Sequence, residues 1–144
     1  MNKIIYFLIF FLIQNCGYQP IYSSKNILIK IDKINYPYSK INNQIARSLR
    51  NISNEESNKI IDVNFKSKRE KITVSKTKSG DPEMFELNIS VDIEIFDNQK
   101  TFMSKQNYKN IENKFELNQH EFEIEKQLLN EIINKILIHL TNFK

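Results

Sequence analysis

From residue 85 to residue 95 the chain alternates without a break. Phe85, Leu87, Ile89, Val91, Ile93 and Ile95 hold one parity, and Glu86, Asn88, Ser90, Asp92 and Glu94 hold the other. A period of two sends successive side chains to opposite faces, so this is a strand with one buried and one wet face, suited to the centre of a sheet. Residues 26–34 alternate in the same way. There Ile27, Ile29 and Ile31 oppose Lys30 and Asp32, and Pro37 closes the segment. Residues 59–77 are also strand-like but change phase. Ile61, Val63 and Phe65 share one parity, while Ile72 and Val74 share the other. One regular strand cannot bury both sets on one face, so a bulge or break is expected within residues 66–71. Residues 101–112 form a weaker, more polar strand suited to a sheet edge.

Two stretches carry the helical period instead. Behind Ser39, a candidate N-cap, Ile41, Ile45, Leu49 and Ile52 recur at spacings of four, four and three, with Arg47, Arg50 and Asn51 off the stripe. Near the C-terminus Leu128, Leu129, Ile132, Ile133, Ile136, Leu137 and Leu140 form a wide apolar stripe ending about Thr141. Asn118 with Glu121 three residues on reads as the start of this helix in capping-box style. Glu121, Glu123 and Glu125 then suit the positive end of its dipole. Turns are expected at Ser79-Gly80-Asp81-Pro82 and at Asp97-Asn98-Gln99. The order is β-α-β-β-β-α. Two amphipathic helices need one apolar surface to cover, which predicts an α+β two-layer sandwich: a four-stranded, mainly antiparallel sheet with both helices on one face. The first two strands, joined through a helix, are free to pair in parallel.

The remaining pattern lies at the N-terminus. Residues 4–13 are apolar on every face, Lys3 precedes them, and the chain turns polar after Cys16, its single cysteine. Ten helical residues span roughly 15 Å, about half of a bilayer core, so the run is a secretory h-region and not a membrane span. Residues 1–15 are therefore read as a lipoprotein signal peptide, Cys16 as the lipidated first residue of the mature protein, and residues 16–25 as a tether. Residues 26–144 form a single domain. Acylation removes the oxidation liability of a lone thiol in an exported protein. Asn15 stands where Gly, Ala or Ser is usual before such a cysteine.

Composition narrows the function. The net charge of +4 falls to +3 when Lys3 leaves with the signal, a mild excess that suits an anionic partner. Lysine far outnumbers arginine, and export removes the chain from cytoplasmic nucleic acid, so no nucleic-acid partner is expected. Two glycines, Gly17 and Gly80, leave no glycine-rich phosphate loop or dinucleotide fingerprint. His120 and His139 stand about five turns apart on the last helix and share no metal site by themselves. No catalytic set, cofactor or metal site is read from the chain, which points to a binding or structural module rather than an enzyme.

The segment Cys16-Gly17-Tyr18-Gln19-Pro20-Ile21-Tyr22 resembles the mature N-terminus of the lipopolysaccharide-assembly lipoproteins, the LptE family, in its divergent Cys-Gly-aromatic-x-Pro-Leu/Ile-Tyr form. The resemblance implies a β-α-β-β-β-α sandwich of about this length, held by its lipid in the inner leaflet of the outer membrane. It also implies a partner, the LptD β-barrel translocon, which such proteins help assemble and plug while aiding lipopolysaccharide insertion at the cell surface. An accessory lipoprotein of another barrel-assembly or transport complex is the alternative, and an envelope enzyme or small-ligand carrier a further one. For lipopolysaccharide phosphates the candidate contacts are Lys66, Lys68, Arg69 and Lys71, grouped near the hairpin of the second and third strands.

Overall fold

A computed structural model describes residues 29–142. The signal, Cys16, the 16–22 motif, the tether and the first residues of the first strand, Ile27 among them, lie outside the described residues. The elements are β1 (Lys30–Asn35), α1 (Lys40–Ile52), β2 (Ile60–Lys76), β3 (Pro82–Ile95), β4 (Asn98–Lys109) and α2 (Lys114–Thr141). The sheet order is β1-β2-β3-β4. β1 pairs with β2 in parallel across the α1 crossover, and the other pairings are antiparallel. The α+β two-layer sandwich with its order of elements is as expected, and β3 is interior while β4 is an edge.

One aliphatic core fills the space between the layers. All six inward residues of β3, from Phe85 to Ile95, are buried, with Ile61, Val63 and Phe65 beside them. α1 adds Ile41, Ile45, Ala46 and Leu49, and α2 adds Ile124 and the stripe from Leu128 to Leu140. Burying each such aliphatic side chain contributes about 1.5–3 kcal/mol, so this layer carries the stability of the fold. Ser39 caps α1, its Oγ accepting from the Asn42 N–H at 3.0 Å. At the other end Ser53 Oγ accepts from Ile31 N–H and Asn54 N–H donates to Ile29 O, which covers the outer side of β1. A register shift between Ile31 and Lys33 reverses the parity of β1, so Ile34 rather than Lys33 leans on the core.

Three expectations need correction. β2 does not break at residues 66–71. Its register with β3 runs regularly from Asn64↔Glu94 to Thr73↔Phe85, and shifts occur only beyond that. The unbroken alternation of β3 holds its neighbour to one phase. Ile72 and Val74 consequently stay on the outer face, about half exposed, and the inward positions of β2 after Phe65 fall to Ser67, Arg69, Lys71 and Thr73.

The β3–β4 turn is Phe96-Asp97, both at positive φ (47° and 63°), between the paired residues Ile95 and Asn98. A two-residue hairpin with both central residues left-handed follows the natural twist of the strands. That geometry pulls Asn98 and Gln99 out of the expected turn and into β4.

α2 starts five residues earlier than expected. Asn113, not Asn118, is its N-cap, accepting from the N–H groups of Phe115 and Glu116. Its amide also donates to Glu116 at 3.2 Å. The Asn-x-x-Glu spacing occurs twice in this stretch, and the earlier copy is used because the chain leaves β4 at Lys109 with few residues to spare. The β2–β3 turn falls where expected: Gly80 sits at φ 93°, and its N–H donates to Thr77 O.

Candidate functional site

The phase of β2 decides the fate of the four basic candidates. Arg69 and Lys71 point inward toward α2, whereas Lys66 and Lys68 point outward. The four do not make one patch, and they lie along the strand rather than at the hairpin tip. On the outer face Lys68 lies 2.7 Å from Glu70 and Lys66 lies 3.7 Å from Asp92. Lys66 also borders a recess of about 390 Å³ that it shares with Asp92 and Glu94, carboxylates that oppose an incoming anion.

Arg69 and Lys71 reach a different partner. Glu121 stands seven residues before Leu128, two helical turns, and so shares the inward face of α2. It is buried, at 8% exposure. Lys71 Nζ lies 2.5 Å from Glu121 Oε1, and Tyr108 on β4 donates its hydroxyl to the same oxygen at 2.8 Å. Arg69 lies 3.6 Å from Glu121 Oε2 and donates through Nε to Glu125 at 2.7 Å. Lys71 also sits 3.9 Å above the Phe85 ring, and Phe85 packs on Tyr108 with centroids 5.7 Å apart. His120 meets the Tyr108 ring edge-on at 5.9 Å.

Burial pushes the Glu121 carboxyl upward. The hydrogen bonds from Lys71 and Tyr108, with the charges of Lys71 and Arg69, outweigh it, and the net shift is below the ordinary carboxylate value. Burial first, then the hydrogen bond to Glu121 and its negative charge, drives the Tyr108 hydroxyl far above the ordinary phenol value. The cluster therefore holds Glu121 ionised and Tyr108 protonated, and each ionised group in it is engaged by an opposite one. Arg69, Lys71, Glu121 and Glu125 clasp the first turns of α2 to the sheet. Glu121, expected as a helix-start charge, is drawn into this clasp instead. Two registers available in the sequence point to the clasp: residues 61-63-65 carried forward to 69-71, and residue 121 in phase with 124 and 128.

His139 packs at 5.6 Å from Phe102, and burial together with the charge of Lys100 lowers its pKa below the ordinary value. Among the described residues no three of His, Cys, Asp and Glu come together as metal ligands, and no helix is long and apolar enough to cross a membrane.

Solved structures of the same architecture exist. Lipoprotein B from Nitrosomonas europaea superposes with a TM-score of 0.62 at 16% identity, covering 81% of this chain and 87% of that one. Rare lipoprotein B from Shewanella oneidensis gives 0.58 at 14% identity, with 76% and 93% covered. A minor lipoprotein from Acinetobacter baumannii gives 0.54 at 13%, with 78% and 91% covered. The chain has the fold of these bacterial lipoproteins. No family model matches the sequence, and no curated protein matches it.

Proposed function

We propose that this protein is a small envelope lipoprotein, tethered through Cys16 to the periplasmic face of the outer membrane, that assists assembly of an LptD-type β-barrel, plugs it and aids lipopolysaccharide insertion. The observation that carries the reading is the fold shared with bacterial lipoproteins, in a chain whose apolar N-terminal run, residues 4–13, shortly precedes its single cysteine. The barrel and lipopolysaccharide follow from the resemblance of residues 16–22 to the LptE family. Purification of the acylated protein from membranes, with identification of what accompanies it, tests the reading. A one-to-one complex with an LptD-type barrel is expected, and depletion of the protein should lower surface lipopolysaccharide. Recovery of a different barrel or transport complex would place the protein with other accessory lipoproteins instead. Mass spectrometry finding residues 1–15 intact and no acyl mass would remove the anchor.

A further inference from the structure

The opposite side of the molecule holds polar groups of another kind. A surface cleft lies between α1 and α2, with two adjoining parts of about 540 and 270 Å³ that share Ser48, Asn130 and Ile133. Small-molecule pockets run from about 300 to 1,000 Å³, and this cleft is of that order. Its floor is aliphatic: Leu129, Ile133 and Leu137. Its walls carry the amides of Asn51, Asn130 and Asn134 and the Ser48 hydroxyl, with Gln44, Arg47 and Lys126 gathered in the smaller part. Among the described residues none of these polar side chains has a hydrogen-bond or ion-pair partner, in contrast to the clasp, where every ionised group does.

The charges are selective as well. α1 contains no carboxylate at all, and α2 contains five glutamates, none of which lines the cleft. Two cations without a counter-charge match one phosphate, which carries close to two negative charges at neutral pH, and the arginine fork suits its oxygens. Amides both donate and accept, as sugar hydroxyls do, and an aliphatic floor accommodates the C–H face of a ring. We infer that the cleft between α1 and α2 binds a phosphorylated sugar, its phosphate at Arg47 and Lys126 and its ring along Asn130 and Asn134. The inference does not depend on the barrel partner.

The test is amide chemical-shift mapping of the full-length protein in a detergent without sugar headgroups. N-acetylglucosamine 6-phosphate, N-acetylglucosamine and inorganic phosphate serve as probes. The phosphorylated sugar should shift amides along residues 44–52 and 126–137 and bind at least about tenfold more tightly than either other probe, because each supplies only half of the contacts. Arg47→Gln with Lys126→Gln should remove about tenfold of that affinity. Asn130→Ala with Asn134→Ala should weaken it several-fold. Both double variants change exposed or half-exposed positions and should keep the wild-type thermal midpoint. Shifts confined to other surfaces, inorganic phosphate binding as tightly as the sugar phosphate, or affinities unmoved by both double variants would each overturn the site. None of these results bears on whether a barrel accompanies the protein.

Discussion

The two halves of α2 hold to the same sheet by different means. From Leu128 to Leu140 the helix buries a broad aliphatic band, wide enough to meet both the sheet and α1. From Lys114 to Gln127 only Glu121 and Ile124 are buried, with Leu117 packed at the margin. There the clasp of Arg69, Lys71, Tyr108 and Glu121 replaces apolar packing. Phe115 and Phe122 on the same segment remain exposed, Phe122 with the ammonium of Lys40, the first residue of α1, 4.5 Å from its ring centroid. Apolar burial is indifferent to acid and to charge, whereas an ion-pair clasp depends on both. The two halves of one helix should therefore respond to different perturbations.

Core truncation is the largest expected effect. Ile132 and Ile89 are fully buried, and changing either to Ala should cost about 2–5 kcal/mol, read as a lowered denaturation midpoint. Midpoints unchanged by both would remove the proposed core. Next comes the clasp itself. Glu121→Ala leaves the Tyr108 hydroxyl and the Lys71 ammonium without their acceptor, while Arg69 keeps Glu125, and should cost about 1–3 kcal/mol. Glu121→Leu together with Lys71→Met should recover much of that loss, since a partly buried pair is replaceable by apolar packing. If Glu121→Ala were neutral, the two halves would be held alike.

Acid separates the halves more finely. The folded-state pKa of Glu121 is depressed below its ordinary value of 4.5. Its contribution is therefore present above about pH 4.5 and is lost as pH falls through the lower folded value. Glu131 is lowered too, by hydrogen bonds from Lys135 and Ser104, but its side chain is half exposed and its pair is screened by water. Hydrogen exchange below pH 4.5 should rise first in residues 114–127, ahead of residues 128–141. Uniform exchange along the helix would contradict this.

The smallest effect is expected on the outer face. Lys66→Glu with Lys68→Glu should change stability by less than about 0.5 kcal/mol, because exposed pairs contribute little. If these lysines meet lipopolysaccharide, the same change should weaken binding, more so at low salt. Unchanged affinity would discard them as contacts without touching the fold.

Local pattern was sufficient for much of this molecule. The alternation of Phe85 to Ile95, the Ser39 cap and the stripe from Leu128 to Leu140 each specify an element by periodicity, because one face of each must leave water. Their order then leaves few ways to pack two helices on four strands. The two-layer sandwich was accordingly legible from sequence. What periodicity could not settle was which of two competing patterns wins. Asn113 and Asn118 offer the same cap, and the exit of the chain from β4 selects the first. Ile61 and Ile72 offer opposite phases of β2, and only pairing with β3 decides between them, because a strand has no preferred face until its neighbour is in place. That one choice turned Arg69 and Lys71 inward to Glu121 and left Ile72 and Val74 in water. The clasp and the interhelical cleft arise between elements distant in the chain, so their chemistry comes into being only when tertiary packing brings those elements together.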